Sequence, residues 1–237
     1  MFDKSFRKII WDHFRTEGRD LPWRRTADPY RVLVSEIMLQ QTQVARVVPK
    51  YTEFVKRFPT FRALAKAPVR AVLSLWQGLG YNRRALMLQR CAQAIVADAP
   101  GPLPGVGPYT AGAVLAFAFN KPAVIIETNI RRVYLHHYFP GRRDISDRQL
   151  LPIIERTLDQ KRPRQWYWAL MDYGAYLATQ IENPNRRSRH YSKQSTFEGS
   201  NRQLRGRVLR ALLAGKPLPP GARTRKIALQ LQKEGFQ

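Results

Sequence analysis

Hydrophobic residues recur every three or four positions over most of this chain of 237 residues, a spacing that places them on one face of an α-helix. Glycine and proline interrupt the pattern where helices are expected to end. Helices are predicted over residues 2–17, 30–41, 43–57, 60–66, 68–77, 82–98, 108–119, 130–138, 147–160, 164–180, 201–214 and 222–234. The chain is 44% hydrophobic, enough for a sizeable core.

The charge balance points to a polyanionic partner. The net charge of +24 far exceeds what solubility requires, so nucleic acid is the first candidate and an anionic membrane surface the second. No apolar run approaches a membrane span, and the N-terminus opens an amphipathic helix instead of a signal peptide. We therefore expect a cytoplasmic, nucleoid-associated protein. The single cysteine, Cys91, excludes an internal disulfide and a site with several cysteine ligands.

The basic charge is concentrated towards the C-terminus. Residues 183–226 carry twelve Lys or Arg against one acid, Glu198. Leucine and valine follow helical spacing over 201–214, which a solvated tail would not require. The pattern predicts a small packed appendage, residues 196–237, that also contacts phosphates.

A turn rich in glycine and proline precedes the helix predicted to begin near Pro108. Pro104, Gly105 and Gly107 favour a tight turn whose N–H groups project outward at the start of a helix, which makes an anion site. On so basic a chain the expected anion is a DNA phosphate. An ordinary loop between two helices is the alternative for this segment alone.

Two glutamates have contrasting sequence environments. Glu36 lies in a nearly apolar helix with no Lys or Arg three or four positions away, so a raised pKa and a general-acid role are expected. Thr128 or Asn129 suits the N-cap of the next helix, so Glu127 lies at or just before a helix N-terminus, which favours the carboxylate. Such a pair is typical of glycosidic-bond cleavage. A structural glutamate at 36, bonded to Trp23 or an arginine, and a capping acid at 127 remain the alternatives.

An aromatic residue stands at a flexible turn flanked by cations. Tyr81 follows Gly80 and precedes Arg83, an arrangement that suits a side chain inserted into a base stack. Equally, Tyr81 could be an aromatic residue at the start of a helix whose side chain packs into the core.

Several motifs together resemble the helix-hairpin-helix DNA glycosylases, and specifically the MutY family of adenine mismatch glycosylases. They run in order from Leu21 to about Ala178 and read L-P-W-R, D-P-Y-R-V-x-V-S-E-I-M-L-Q-Q-T-Q-V, L-W-Q-G-L-G-Y, L-P-G-V-G-P-Y-T-A-G-A-V, I-E-T-N-I-R-R-V and M-D-Y-G-A. The resemblance implies an all-α, two-lobed fold that binds DNA in the cleft between its lobes and flips out the target nucleotide. The expected lobes are residues 30–135 and residues 1–29 with 136–195.

The resemblance also assigns roles to individual residues. Glu36 matches the glutamate that protonates the leaving purine, and Glu127 stands where the family has an aspartate that stabilises the sugar cation. Asn129 matches an active-site asparagine, and Tyr109 stands where bifunctional relatives have a lysine nucleophile. The residues expected to bind DNA are Gln40, Gln41, Thr42, Tyr81, Gly105, Val106, Gly107, Arg24, Arg25, Arg83, Arg186, Arg187 and Arg205.

The chain departs from the family at several places. The family's four iron–sulfur cysteines fall on Ala178, Asn185, Ser188 and Gln194, so no cluster is expected, although a monovalent cation at the hairpin is compatible with the motif. About a dozen residues that form the first helix of the hairpin motif are missing before residue 103. The resemblance does not extend to the domain that helps the family recognise 8-oxoguanine, so no such domain is expected within these 237 residues.

The sequence therefore predicts a monomeric, monofunctional DNA glycosylase. Its expected substrate is duplex DNA with adenine opposite 8-oxoguanine or guanine. A thymine or uracil mismatch glycosylase on the same scaffold is one alternative. A protein that binds mismatches without cutting is another, with Glu127 as the mark of lost chemistry.

Overall fold

The computed structural model describes residues 2–234, and these contain twelve α-helices and no β-strand. In chain order the helices are α1 (Phe2–Glu17), α2 (Pro29–Leu39), α3 (Val44–Arg57), α4 (Phe61–Lys66), α5 (Val69–Trp76), α6 (Arg83–Val96), α7 (Pro108–Phe119), α8 (Thr128–Tyr138), α9 (Asp147–Thr157), α10 (Pro163–Gln180), α11 (Asn201–Leu213) and α12 (Ala222–Lys233). Short 3-10 turns span Pro22–Arg24 and Pro184–Arg187. The all-α prediction is confirmed, and none of these helices is long and apolar enough to cross a membrane.

The chain divides into two compact units. The first unit comprises the residues up to Pro29 together with Gly107–Lys193. Its core is aromatic, with α10 packed against α1, α7 and α8 and with Trp166, Tyr134 and Phe6 almost fully buried. Phe6 lies edge-on to the rings of both Tyr138 and Trp166.

The second unit comprises Tyr30–Val106 together with the chain from Gln194 onward. Trp76, Phe54 and Met38 form the centre of its core. The two C-terminal helices, α11 and α12, pack on each other, as the leucine spacing predicted. Their buried residues are Val208, Leu209, Ile227 and Leu231.

The unit boundaries differ in part from the predicted lobes. The break at residue 30 is as expected, but the second break follows Val106 and does not lie near residue 135. The reason is packing, because α7 and α8 both lie against α10. The appendage also does not stand apart, since it belongs to the same unit as α2–α6.

A buried ion pair ties the N-terminal loop of the first unit to α10. The side chains of Arg24 and Asp172 are 7% and 1% exposed, and two nitrogens of Arg24 donate to the carboxylate at 2.7 Å each. The backbone N–H of Arg19 adds a third bond at 2.9 Å. Burial disfavours the ionised carboxyl, but Arg24 outweighs it and keeps the pKa of Asp172 below its ordinary value.

We expect Asp172→Asn to destabilise the fold by about 3–5 kcal/mol, because it leaves the buried charge of Arg24 without its counter-ion. Denaturant unfolding at neutral pH measures this loss. The matched control is Asp20→Asn, whose partner Arg25 is 68% exposed. The control should unfold at the wild-type midpoint. Equal midpoints for the two variants would contradict a structural role for the Arg24–Asp172 pair.

Candidate functional site

Glu36 lies on the apolar helix α2, as the sequence predicted. Every residue from 32 to 38 is buried, and Glu36 itself is only 7% exposed. Except for Ser35 and Glu36 itself, the buried residues of this stretch of α2 are aliphatic or methionine. The burial agrees with the predicted position, and the general-acid role stays a prediction.

The helix α2 ends at Leu39 and leads directly into residues 40–42, here named the glutamine turn. Gln41 is exposed and has a left-handed backbone, with φ of 54°. Non-glycine residues seldom adopt this conformation, and those that do cluster at functional sites. The Thr42 hydroxyl donates to the carbonyl of Leu79 at 3.3 Å, which connects this turn to a second one.

The second turn, residues 79–81, is here named the tyrosine turn. Tyr81 also has a left-handed backbone, with φ of 47°, and its side chain is exposed. The indole N–H of Trp76 donates to the carbonyl of Gly80 at 3.1 Å and holds the turn on the core. The structure thus contradicts the alternative in which Tyr81 packs inward, and it presents an aromatic ring at the surface.

Arg84, in the first turn of α6, connects the two turns. One nitrogen donates to three carbonyls at the end of α2 and the other donates to both turns. The acceptors are the oxygens of Ile37, Met38, Gln40, Thr42, Leu79 and Gly80. The guanidinium also lies 5.5 Å from the ring centre of Trp76 and 5.4 Å from that of Tyr81. It therefore fixes the glutamine turn relative to the tyrosine turn.

The sequence pattern did not indicate this role of Arg84. Burial lowers its pKa to about 10, yet the group remains charged at neutral pH. A signal was available, because a cation in the first turn of a helix is electrostatically disfavoured and calls for a specific partner. The C-terminal carbonyls of α2 are such partners.

The hairpin, residues 103–107, has the predicted turn. The Val106 N–H donates to the Leu103 carbonyl at 3.1 Å, and Gly105 has φ of 76°, as a type II turn with Pro104 at its second position requires. Gly107 is the N-cap of α7 and Pro108 its first residue. The structure has no helix between Val96 and Pro108, so a loop leads into the hairpin.

Glu127 is the N-cap of α8. Its Oε1 accepts hydrogen bonds from the backbone N–H groups of Asn129 and Ile130 at 2.7 and 2.8 Å, and its Oε2 accepts one from the Asn129 amide at 3.3 Å. Tyr109, in the first turn of α7, is half-buried. The N-cap is thus Glu127 and not the predicted Thr128 or Asn129, as in the alternative of a capping acid, and the hydrogen bonds fix the direction of the carboxylate.

The amide of Asn129 is itself held by Arg132, a second residue that the sequence analysis missed. Arg132 is 7% exposed and donates to the Asn129 Oδ1 and the Gly174 carbonyl, each at 2.7 Å. Gly174 lets α10 approach closely, since a Cβ there would lie 2.5 Å from the Asn129 carbonyl. The Asn185 amide donates to the Thr128 carbonyl at 3.0 Å.

The expected preference of Glu127 for the ionised form is wrong in direction. Burial raises the pKa of Glu127 above its ordinary value, although the backbone N–H groups and the charges of Arg132 and Arg131 act in the opposite sense. Two main-chain hydrogen bonds do not replace the water that the carboxylate loses. The group thus combines the geometry of an anion with an increased affinity for a proton.

Several arginines assigned to DNA are engaged within the protein instead. Arg24 is buried against Asp172, and Arg187 donates to the carbonyls of Leu135 and Phe139 at the end of α8. Arg205 is largely covered and pairs with Glu234. The exposed Arg25, Arg83 and Arg186 each pair with a carboxylate, and their contact with DNA stays a prediction. Contacts within the protein, which composition does not reveal, explain the corrections at Arg24, Arg187 and Arg205.

The positions that match the family's cluster cysteines do not suit iron–sulfur ligation. Ala178 has no donor atom, Asn185 bonds the Thr128 carbonyl, and Ser188 lies in a backbone bridge to Ile145. Among residues 2–234 no group of three or more His, Cys, Asp or Glu could hold a metal ion. Asn185 and the nearby Arg187 also donate hydrogen bonds to carbonyls at the two ends of α8, the helix that Glu127 caps.

We expect Gly105→Ala to destabilise the protein by at least about 1–2 kcal/mol, because a side chain disfavours the left-handed backbone. The new Cβ would also lie 2.8 Å from the Cβ of Met87. Gly107→Ala is the control, since its Cβ would meet nothing within 4 Å and its φ is −85°. Thermal unfolding compares the two. A Gly105→Ala protein as stable as the Gly107→Ala protein would contradict the turn assignment.

We expect Glu127→Gln to stabilise the protein at neutral pH. The pKa of Glu127 is higher in the folded state than its unfolded value near 4.5. The stability that Glu127 contributes to the folded protein is therefore fully present below pH 4.5 and is lost as pH rises through the folded-state pKa. Glutamine retains an acceptor for the two N–H groups and carries no charge. Unfolding in denaturant at pH 4 and pH 7.5 should therefore show a gain for the variant only at pH 7.5. A gain of equal size at both pH values would exclude this cause.

Comparison with known proteins agrees with these features. The model of the HhH-GPD superfamily of base excision DNA repair proteins matches residues 34–156. An adenine DNA glycosylase of Buchnera aphidicola is 35% identical over 187 residues, 73% of this chain and 52% of the relative. One of Mycobacterium tuberculosis is 34% identical over 245 residues, 88% of this chain and 78% of the relative.

Among solved structures, a thermostable thymine-DNA glycosylase is similar, with a TM-score of 0.65 and 30% identity over 73% of this chain and 86% of the other. The chain spans about half the length of the Buchnera relative. The matched region contains Glu36, the hairpin and Glu127. The chain belongs to the HhH-GPD superfamily of base excision DNA repair proteins.

Proposed function

We propose that this protein is a monofunctional DNA glycosylase that hydrolyses the N-glycosidic bond of adenine mispaired with 8-oxoguanine or guanine. The observation that carries the proposal is the buried Glu36, on a helix that ends directly in the glutamine turn. The names of the Buchnera and Mycobacterium relatives, adenine DNA glycosylase, support the choice of adenine.

Glu36 is the general acid in this proposal. It donates its proton to the adenine ring as the bond between the base and the C1′ of the sugar breaks, and the bonding electrons leave with the base. The burial of Glu36 supports this role, because a carboxyl group removed from water is easier to keep protonated before the reaction. General-acid catalysis of this kind contributes a factor of about 10²–10⁴ to a rate.

Glu127 acts on the sugar. Its carboxylate stabilises the positive charge that develops at C1′ and then accepts a proton from the water that adds there. The raised pKa of Glu127 suits the second task, since a carboxylate with a higher proton affinity is a stronger base. The backbone N–H groups of Asn129 and Ile130 keep the carboxylate in one orientation.

Tyr109 makes the reaction a hydrolysis. A lysine at this position would form a Schiff base with the sugar, whereas a tyrosine hydroxyl has no amine to do so. In the first unit, the lysine nearest to α7 in the sequence is Lys121, which follows the end of that helix. Strand cleavage is therefore not part of the proposed activity.

The protein acts on duplex DNA as a monomer in the cytoplasm and needs no iron–sulfur cluster in this proposal. The hairpin presents backbone N–H groups to a phosphate, with a monovalent cation compatible at that turn, and Tyr81 enters the base stack beside the target. The glutamine turn reads the opposing base. The net charge of +24 supports strong contact with the phosphate backbone.

Thymine opposite guanine is the second candidate substrate. The similarity to the thermostable thymine-DNA glycosylase structure, at 30% identity, favours it specifically. The two candidates share the fold and differ in the base that the pocket accepts, so only a substrate comparison separates them.

Single-turnover excision tests the proposal on duplexes with adenine opposite 8-oxoguanine, adenine opposite guanine, thymine opposite guanine and uracil opposite guanine. We expect the two adenine duplexes to be cut after alkali treatment. Glu36→Gln should lower excision by about 10²–10⁴-fold, the contribution of a general acid, with duplex affinity nearly unchanged.

The matched control is Glu53→Gln, an exposed glutamate on α3 that pairs with Lys50. This control should excise at the wild-type rate. Excision of thymine alone would replace adenine by the second candidate. No excision from any duplex, with mismatch binding retained, would show a binding protein and overturn the proposal.

A further inference from the structure

The hydroxyl of Tyr81 is contacted by the C-terminal part of the chain. The Arg202 Nη1, at the start of α11, lies 3.1 Å from this oxygen, and the Gln194 amide nitrogen donates to it as well. Both residues belong to the same compact unit as Tyr81. The sequence predicted that this segment packs and contacts phosphates, but it did not indicate a contact with Tyr81.

The geometry of Arg202 is itself constrained. Its Nη2 donates to the Ser195 carbonyl at 2.6 Å and lies 3.3 Å from the Ser195 hydroxyl. One edge of the guanidinium therefore holds the segment that precedes α11, while the other faces Tyr81. A planar group bonded on both sides has little freedom to move away from the phenol.

Other contacts dock the appendage on the region of the tyrosine turn. Glu234, just after α12, pairs with Arg83, two residues beyond Tyr81, and also with Arg205 of α11. Arg70 of α5 donates to the Leu213 carbonyl at the end of α11 at 2.7 Å. Together these contacts hold both ends of α11 on the core of this unit.

We propose that Arg202 is a positioning residue for Tyr81, and that the appendage serves to hold this aromatic side chain in the orientation in which it enters a base stack. The inference rests on the proposed function, because it takes Tyr81 as the intercalating residue. It goes beyond that function by giving the C-terminal segment a task that is not phosphate binding.

Tyr81 needs such support because the turn alone does not orient its ring. The left-handed backbone and the Trp76 bond to Gly80 fix the main chain, and Arg84 lies against the ring. Tyr81 is still 38% exposed. The far end of its ring, the hydroxyl, is contacted by Arg202 and Gln194. Hydrogen bonds at the hydroxyl supply that restraint without covering the ring.

A double-mutant cycle separates this role from phosphate binding. Its members are Tyr81→Phe, which keeps the ring and removes the hydroxyl, Arg202→Met and the double variant. Arg207→Met is the control, since Arg207 is exposed on the same helix and loses the same charge. Each protein is bound at saturation to a duplex with 2-aminopurine beside the mismatch, whose fluorescence rises when the stack opens.

We expect Arg202→Met to reduce the fluorescence rise and to slow excision about three- to tenfold, the usual range for one hydrogen bond. Tyr81→Phe should have a similar effect, and adding Arg202→Met to it should change neither readout further. Arg207→Met should alter only the salt dependence of affinity for undamaged duplex.

Equal losses from Arg202→Met in the tyrosine and phenylalanine backgrounds would show that Arg202 acts on DNA and would overturn the proposal. A faster reaction of Arg202→Met would also overturn it, because the contact would then be inhibitory. If wild type excises no base, the proposed function fails, but the fluorescence cycle still decides whether Arg202 acts through Tyr81.

Discussion

The proposed DNA-reading surface depends on the hydrogen bonds of one half-buried guanidinium group, that of Arg84. It satisfies carbonyls at the end of α2 that no further helical turn could pair, and it bonds both the glutamine turn and the tyrosine turn. Each turn contains a non-glycine residue with a left-handed backbone, Gln41 and Tyr81. Such conformations persist only where the surrounding structure over-determines them, and Arg84 with Trp76 provides that restraint.

In the first unit the comparable element is the N-terminus of α8. The main chain orients the carboxylate of Glu127, and Arg132 with Gly174 orients Asn129 beside it. These contacts place the groups accurately but leave Glu127 poorly hydrated, which is why its pKa rises. In the proposed mechanism this is a loss of stability in exchange for a base held in one position, a common property of active sites.

The distribution of arginines shows why net charge indicates the partner but not the contact residues. Arg24, Arg132 and Arg187 each satisfy acceptors inside the first unit, so they contribute to the count of basic residues without facing a phosphate. Planar guanidinium groups suit both uses, because they bond carbonyls and carboxylates as well as phosphates. The tertiary contacts of each guanidinium group decide whether it binds acceptors within the protein or remains available to phosphates.

The sequence by itself determined the secondary structure and much of the site. The period of the hydrophobic residues, with proline and glycine at the breaks, predicted helices within a few residues of their observed ends, because these signals are local. The burial of Glu36, the turn at Gly105 and the cap at Glu127 followed from neighbours in the chain.

Only the tertiary structure decided what depends on residues far apart in the sequence. The unit boundary follows from the packing of α7 and α8 on α10, and the pKa of Glu127 from the loss of water around it. The partners of Arg84 lie up to 47 positions away, and Arg202 meets Tyr81 across 121 positions. No local pattern encodes such contacts, because they form only when separate helices bury their apolar faces together.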